Sequence, residues 1–299
     1  MQFDLLAGAH VPACRAPLMP ASIMVQPPRV LVFDSGLGGL TVFCEVARAW
    51  PGAQFIYVAD DAGFPYGRLG EAALVARVLD VMGVLLARHT PDVVVVACNT
   101  ASTLVMRPLR ARFPDVAFVG TVPAIKPAAA ASCTKMFSVL ATPGTVARDY
   151  TKELVREYAG HCAVTLVGAV NLAGLAERFM QGEAVPDPAV LAEIAPCFVE
   201  SAAGRTDTVV LACTHYPLLM TQFRALAPWP VAWIDPAPAI ARRAAHVLGE
   251  VLGFVPGVGQ QAQTGVAYLT SGAQPGQALK MALRARGLDV LPSVPIPLR

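Results

Sequence analysis

Charge is scarce in this chain. Asp, Glu, Lys and Arg make up 15% of its 299 residues and leave a formal balance of +2. No lysine- or arginine-rich cluster stands out, so neither nucleic acid nor an anionic membrane surface is an expected partner. Long apolar runs are missing as well. Although 55% of residues are hydrophobic, no run approaches the roughly 18 residues needed to cross a bilayer. That composition fits buried parallel sheet clad in alanine-rich helices. No CxxC pair occurs and the seven cysteines are odd in number. A chain of this length needs no covalent staples, so reduced thiols in a cytoplasmic protein are expected. No His, Cys, Asp or Glu group has zinc-ligand spacing. The GLGG turn at 36–39 lacks GxGxxG spacing and a following GKS or GKT, so it is not read as a nucleotide loop. Lys126 sits between Pro123 and Pro127, a poor setting for a pyridoxal Schiff base. No cofactor or metal is expected.

Residues 1–28 hold Pro12, Pro17, Pro20, Pro27 and Pro28 without clean periodicity. They lack a basic n-region, carry Asp4 early and have only a short apolar stretch, which argues against a signal peptide. They read as a poorly structured N-terminal extension, or as upstream sequence if Met24 is the start.

What the chain does have is one short stretch written twice. Residues 92–102 read DVVVVACNTAS and residues 207–217 read DTVVLACTHYP. Each is an acidic residue, a β-branched apolar run and then Ala-Cys. A continuous apolar run of that kind reads as a parallel-sheet strand with Ala-Cys at its carboxyl end, the edge where open α/β sheets place their ligands. Around these stretches strand, turn and helix alternate. Strands are expected at 30–33, 54–61, 117–125, 136–141, 164–168, 231–235 and 266–272, with helices at 71–89, through Arg112, and at 188–204, interrupted or kinked at Pro196. A last helix spans 275–287, and 257–265 reads as a loop. Thr142 follows Asp34 by 108 residues and Cys213 follows Cys98 by 115, which suggests an internal duplication. The expected fold class is α/β, with two similar parallel-sheet lobes and a site in the cleft between them. The first lobe is assigned 29–122 plus 236–299 and the second 123–235, with hinge strands near 120–126 and 229–235.

The strand-end turns collect the chemistry. They present Asp34-Ser35-Gly36, Pro65-Tyr66-Gly67 and Cys98-Asn99-Thr100 from the first lobe. The second lobe offers Thr142-Pro143-Gly144-Thr145 and Cys213-Thr214-His215. Turn amides and small polar side chains bind carboxylates, and carboxylates bind an ammonium; a small zwitterion such as an amino acid suits that inventory. Each cysteine is expected just before a helix start, where the partial positive charge favours thiolate. His215, two positions beyond Cys213, is expected to face the same way along an extended backbone. Two opposed thiols imply proton transfer at one carbon from either face, with fixed dipoles stabilising the carbanion. Each cysteine alone reads more readily as packing than as catalysis, the matched pair reverses that, and Asp34 alone reads as readily as a helix N-cap. His10, His89, His161 and His246 fall outside these turns and read as ordinary histidines.

With FDSGLGG, the DxxxxPYG pattern at 60–67, ACNTAS, ATPGTVxxxY at 141–150 and LACTHYPLL assembled, the chain resembles the glutamate racemases of the cofactor-independent aspartate/glutamate racemase superfamily. The likeness runs from about residue 29 to 245. It implies Cys98 and Cys213 as the acid/base pair, assisted by Asp34 and His215. It implies substrate contacts from Asp34, Ser35, Tyr66, Gly67, Asn99, Thr100, Thr214 and His215. It further implies a cytoplasmic homodimer that supplies D-glutamate for peptidoglycan. One segment departs: where the family usually shows a CPxFVPLVE-like run, this chain reads AVNLAGLAE, keeping Glu177 but losing the prolines and the cysteine. The role of Glu177 is therefore left open at this point. Sister activities on the same scaffold are an aspartate or hydantoin racemase or a maleate isomerase. A Cys213–His215 thiol hydrolase and a binding protein with inert thiols are the readings from other classes.

Overall fold

The computed structural model describes residues 26–255 and 264–291. Most of the N-terminal extension, with His10, Cys14 and Met24, lies outside them, as do nearly all of the 257–265 loop and the chain after Leu291.

The first lobe opens with β1 (Arg29–Asp34), α1 (Leu40–Ala49), β2 (Gln54–Ala59), α2 (Glu71–His89), β3 (Val93–Val96), α3 (Asn99–Arg112) and β4 (Ala117–Val119). The chain then crosses through α4 (Ile125–Ala131) into β5 (Met136–Ala141), α5 (Pro143–Ala147), α6 (Asp149–Ala159), β6 (Ala163–Gly168), α7 (Leu172–Met180) and α8 (Asp187–Ile194). A short antiparallel hairpin, β7 (Glu200–Ser201) with β8 (Gly204–Arg205), precedes β9 (Thr208–Ala212), α9 (Met220–Leu226) and β10 (Ala232–Ile234). The chain returns with α10 (Ala237–His246), β11 (Gly265–Leu269), α11 (Gln277–Arg284) and β12 (Leu288–Val290).

Two sheets result, with strand orders β12-β11-β2-β1-β3-β4 and β10-β9-β5-β6, every pairing in them parallel. The order β2-β1-β3-β4 in the first is matched by β6-β5-β9-β10 in the second. The duplication suggested by the spacing is thus present as a repeated topology, with β11 and β12 added to the edge of one copy. In the returning segment β11 pairs with β2 of the first sheet.

The apolar runs form strands because both faces of each sheet are covered. In β1 and β3 the alternation is clean. Val30, Val32, Val93 and Val95 face the core shared with α1 and α10, while Leu31, Phe33, Val94 and Val96 face α2 and α3. In the second sheet Val209 and Leu211 join the layer with α7 and α8, and Val210 joins the layer with α4 and α6. Full burial of one such side chain contributes about 1.5–3 kcal/mol, so slipping a strand by one residue would change what both layers pack against.

One expectation holds only in part. The helix over 188–204 is interrupted at Pro196, with α8 ending at Ile194 and a 3-10 turn over Ala195–Cys197, but it does not resume: the β7–β8 hairpin follows. Pro196 lacks the N–H a continuing helix needs, and Gly204 at φ +140° takes a backbone region open to glycine.

Candidate active site

Both sheets point their carboxyl-terminal strand ends into the same cleft. From the first lobe come the turns after β1, β2 and β3; from the second come the turn after β5, the start of α7 and the turn after β9. They enclose a cavity of about 20 Å³ lined by Ser35, Tyr66, Gly67, Cys98, Asn99, Thr100, Cys213, Thr214 and His215, with Phe64, Pro65, Thr142 and Ala173. Every acid/base or substrate-contact residue implied by the resemblance except Asp34 lines this cavity, whereas Gly36, Pro143, Gly144 and Thr145 of the strand-end turns do not. Asp34 lies directly behind it, fully buried. It accepts hydrogen bonds from the Gly36 amide at 3.1 Å and the Thr214 hydroxyl at 3.1 Å. Tyr57 fixes the same turn from below by donating to the Gly36 carbonyl at 2.6 Å.

The two cysteines have different surroundings. Cys98 is the N-cap residue of α3 and donates to the Ser35 hydroxyl at 3.6 Å. Burial pushes its thiol up to about 12, with the nearby negative charge of Asp34 adding to the effect. The helix-start argument for thiolate is thus outweighed at Cys98, because desolvation of the anion exceeds the gain from one helix end. No α-helix begins at Cys213. Thr214 and His215 follow in a turn, then a 3-10 segment, Tyr216–Leu219. His215 has helical backbone angles, φ −73° and ψ −31°, so the expected extended alignment with Cys213 is wrong. The turn still brings its Nδ1 to 3.8 Å from the Cys213 sulfur.

Glu177 resolves into a partner of this histidine. Its Oε1 is 2.8 Å from His215 Nε2 and accepts from the Leu37 amide at 2.5 Å. Burial alone would lower the imidazole, but the hydrogen bonds to Cys213 and Glu177 raise it well above its ordinary 6.5. The protonated ring then donates from Nε2 to Glu177, and the Gly38 amide 3.3 Å from that nitrogen is a packing neighbour. Asp34 is raised too, chiefly by burial, against the pull of the His215 charge, the Gly36 and Gly39 amides and the Thr214 hydroxyl.

Hydrogen bonds also tie the lobes across the cleft. Thr100 of the first lobe is 3.0 Å from the Thr142 hydroxyl and 3.2 Å from that of Thr145 in the second. Asn99, buried at the cavity wall, leaves both its amide nitrogen and its oxygen without a hydrogen-bond partner among the described residues, an exception to the rule that buried polar groups are paired. Sequence reasoning missed Phe64, whose ring stacks 5.3 Å from His215, and Ala173. The duplication held a signal for Ala173: the segment after β6 is the counterpart of the Pro65-Tyr66-Gly67 turn after β2, so it had to meet the same cleft.

Two thiols, an imidazole and the side-chain amide of Asn99 thus line one small cavity between the strand ends of the two sheets. The sequence profile of the Asp/Glu/Hydantoin racemases matches residues 42–244, and the chain belongs to that family. Among its relatives is the glutamate racemase of Agrobacterium fabrum, 60% identical over 219 residues, 73% of this chain and 80% of that protein. The glutamate racemase of Sinorhizobium medicae is 54% identical over 261 residues, 87% of this chain and 94% of its own length. The crystal structure of Escherichia coli glutamate racemase, in complex with L-glutamate and the activator UDP-MurNAc-ala, superposes with a TM-score of 0.80. It is 37% identical and the match covers 89% of this chain and 97% of that one.

Proposed function

We propose that the chain is a glutamate racemase that inverts Cα by moving protons between Cys98 and Cys213. The observation that carries the reading is the pair of thiols, one from each equivalent strand end, on the wall of one cavity. One sulfur, as thiolate, takes the Cα proton; the electron pair remains on the substrate as a carbanion stabilised by its carboxylate and the donors around it. The other sulfur, as thiol, returns a proton to the opposite face. The two thiols have unequal surroundings. Cys98 is held neutral by burial, while a protonated His215 places its Nδ1 3.8 Å from the Cys213 sulfur. Asp34 assists by holding Thr214 and by balancing the His215 charge. Ser35, Tyr66, Gly67, Asn99, Thr100, Thr214 and His215 surround the substrate, with the free amide of Asn99 the clearest anchor for a carboxylate or ammonium.

A cavity of about 20 Å³ has room for about one water, so glutamate enters through a more open arrangement of the lobes. The threonine contacts across the cleft are what opening breaks and closing restores. In this reading the enzyme is a cytoplasmic homodimer supplying D-glutamate for peptidoglycan, and it needs no metal or pyridoxal. No helix among the described residues is long and apolar enough to cross a membrane.

The test is incubation with L- and D-glutamate in deuterated water, following Cα exchange by proton NMR and inversion by circular dichroism. Deuterium is expected in the product enantiomer, and Cys98→Ser and Cys213→Ser should each abolish inversion. Full racemisation by either variant overturns the two-thiol reading. Hydrolase activity that survives Cys98→Ser would point to Cys213 and His215 acting alone.

A further inference from the structure

One buried ion pair lies outside the chemistry described so far. The Asp60 carboxylate at the end of β2 is fully buried and takes four donors. Its Oδ2 accepts from the Tyr66 hydroxyl at 2.5 Å and from Arg77 Nε at 2.9 Å; its Oδ1 accepts from Arg77 Nη2 and from the Thr270 hydroxyl at 2.6 Å. Arg77 stands on the inner face of α2 beside Leu74 and Val78, with 6% of its side chain exposed. A helix position with that apolar spacing calls for a leucine or valine. A guanidinium there is costly to desolvate unless its partner is in place.

The carboxylate this arginine grips also receives the Tyr66 hydroxyl. Tyr66 lines the cavity yet commits its hydroxyl to Asp60, so it meets the site through its ring and backbone. The stretch from Asp60 to Gly67 holds only short 3-10 segments, Asp61–Gly63 and Tyr66–Arg68, and lacks the repeating ladder that would fix a strand or a long helix. Its position is set by tethers. Asp60 supplies one. Asp61 supplies another by accepting from the Ser271 amide at 2.8 Å and from the Ser271 hydroxyl. The packing beneath is tight: a Cβ on Gly63 would come 2.9 Å from both Asp60 Oδ2 and the Tyr66 ring.

We infer that Arg77 is a positioning residue: through Asp60 it holds the Pro65-Tyr66-Gly67 turn at the cavity wall and so sets substrate affinity. The two-pronged guanidinium grip defines the carboxylate plane, the carboxylate plane defines where the Tyr66 hydroxyl must lie, and Tyr66 carries the turn. Thr270 and Ser271 extend the same role to the segment after β11, which gives the returning edge of the first sheet a function at the site. The inference rests on the racemase reading for its kinetic consequence, and on the geometry alone for its structural one.

The experiment uses the full chain with Arg77→Met, Arg77→Lys and the double variant Asp60→Asn/Arg77→Met. Amide hydrogen exchange, read by mass spectrometry over residues 61–70, reports the turn directly, and steady-state racemisation reports its effect. Arg77→Met should exchange faster across 61–70 than wild type, with Arg77→Lys between them. The KM for glutamate should rise about tenfold in Arg77→Met while kcat changes much less, the sign of lost positioning of substrate. The double variant buries no unpaired charge and leaves Tyr66 an amide oxygen to donate to, so it should recover much of the affinity. A merely structural role would lower the active fraction, so that kcat falls with KM unchanged. That pattern, or unchanged exchange over 61–70, overturns the inference. Wild-type protein without racemisation would sink the racemase reading instead, and the exchange data would still judge the tether.

Discussion

Replacing Glu177 by Gln isolates the charge behind His215. The amide keeps an oxygen where Oε1 accepts from His215 at 2.8 Å and from Leu37 at 2.5 Å, so the geometry is retained and only the negative charge is lost. A hydrogen bond to a charged group contributes about 1.5–3 kcal/mol against about 0.5–1.5 for a neutral one. The exchange should therefore cost roughly 1 kcal/mol while the imidazole is protonated. The sign with pH follows from the raised folded-state value of His215. A raised base stabilises the fold fully below its unfolded value of about 6.5, and that stabilisation is lost as pH rises through the folded value. Urea unfolding of wild type and Glu177→Gln should differ by about that amount at pH 6. The difference should shrink toward the highest pH at which both remain folded. Racemisation should weaken on the alkaline side first, because the imidazolium beside Cys213 is lost at lower pH. A stability gap that is the same at both pH values, or an unaltered pH–rate profile, would refute the Glu177–His215–Cys213 argument.

Two further outcomes follow from the same geometry. With its thiol pushed up to about 12 from 9.0, Cys98 carries roughly a thousandfold less thiolate near neutral pH than an ordinary cysteine. Iodoacetamide labelling followed by mass spectrometry should find Cys98 slower than exposed Cys133 by at least that order, and still accelerating with pH above 10; labelling within tenfold of Cys133 contradicts it. Gly38→Ala places a Cβ 2.6 Å from the His215 backbone nitrogen and against its ring, contacts that a turn cannot relieve without moving the histidine. Overpacking of this kind costs about 1–3 kcal/mol, so a fall in Tm of several degrees with loss of racemisation is expected. Gly70→Ala, whose Cβ meets nothing within 4 Å, serves as the control, and equal behaviour of the two variants would remove the case for close packing at Gly38.

The strands were legible because parallel sheets covered on both faces write themselves as unbroken apolar runs. Val93–Val96 and Thr208–Ala212 are such runs, and each ends on Ala-Cys. The repeated spacing foretold the repeated strand order. The 188–204 stretch misled because its apolar residues have helical spacing, while Pro196 and the positive φ of Gly204 divert the backbone. Glu177 stayed ambiguous for a different reason: its surrounding motif departs from the family pattern, and its partners, Leu37 and His215, are far from it along the chain.

The strand ends, the pairing of thiols and the catalogue of polar turns are local properties, set by which residue types follow one another, and the linear chain carries them in full. Distances between remote turns are not local. That Cys98 is neutralised by burial, that His215 reaches Cys213 through a turn, and that Glu177 of α7 charges His215 all depend on solvent exclusion and on where the tertiary fold sets each turn. Electrostatic effects of that kind vary with the local dielectric and with a few tenths of an ångström. The same short motif that names two cysteines thus says nothing of their different surroundings. Those arise only when the fold encloses them.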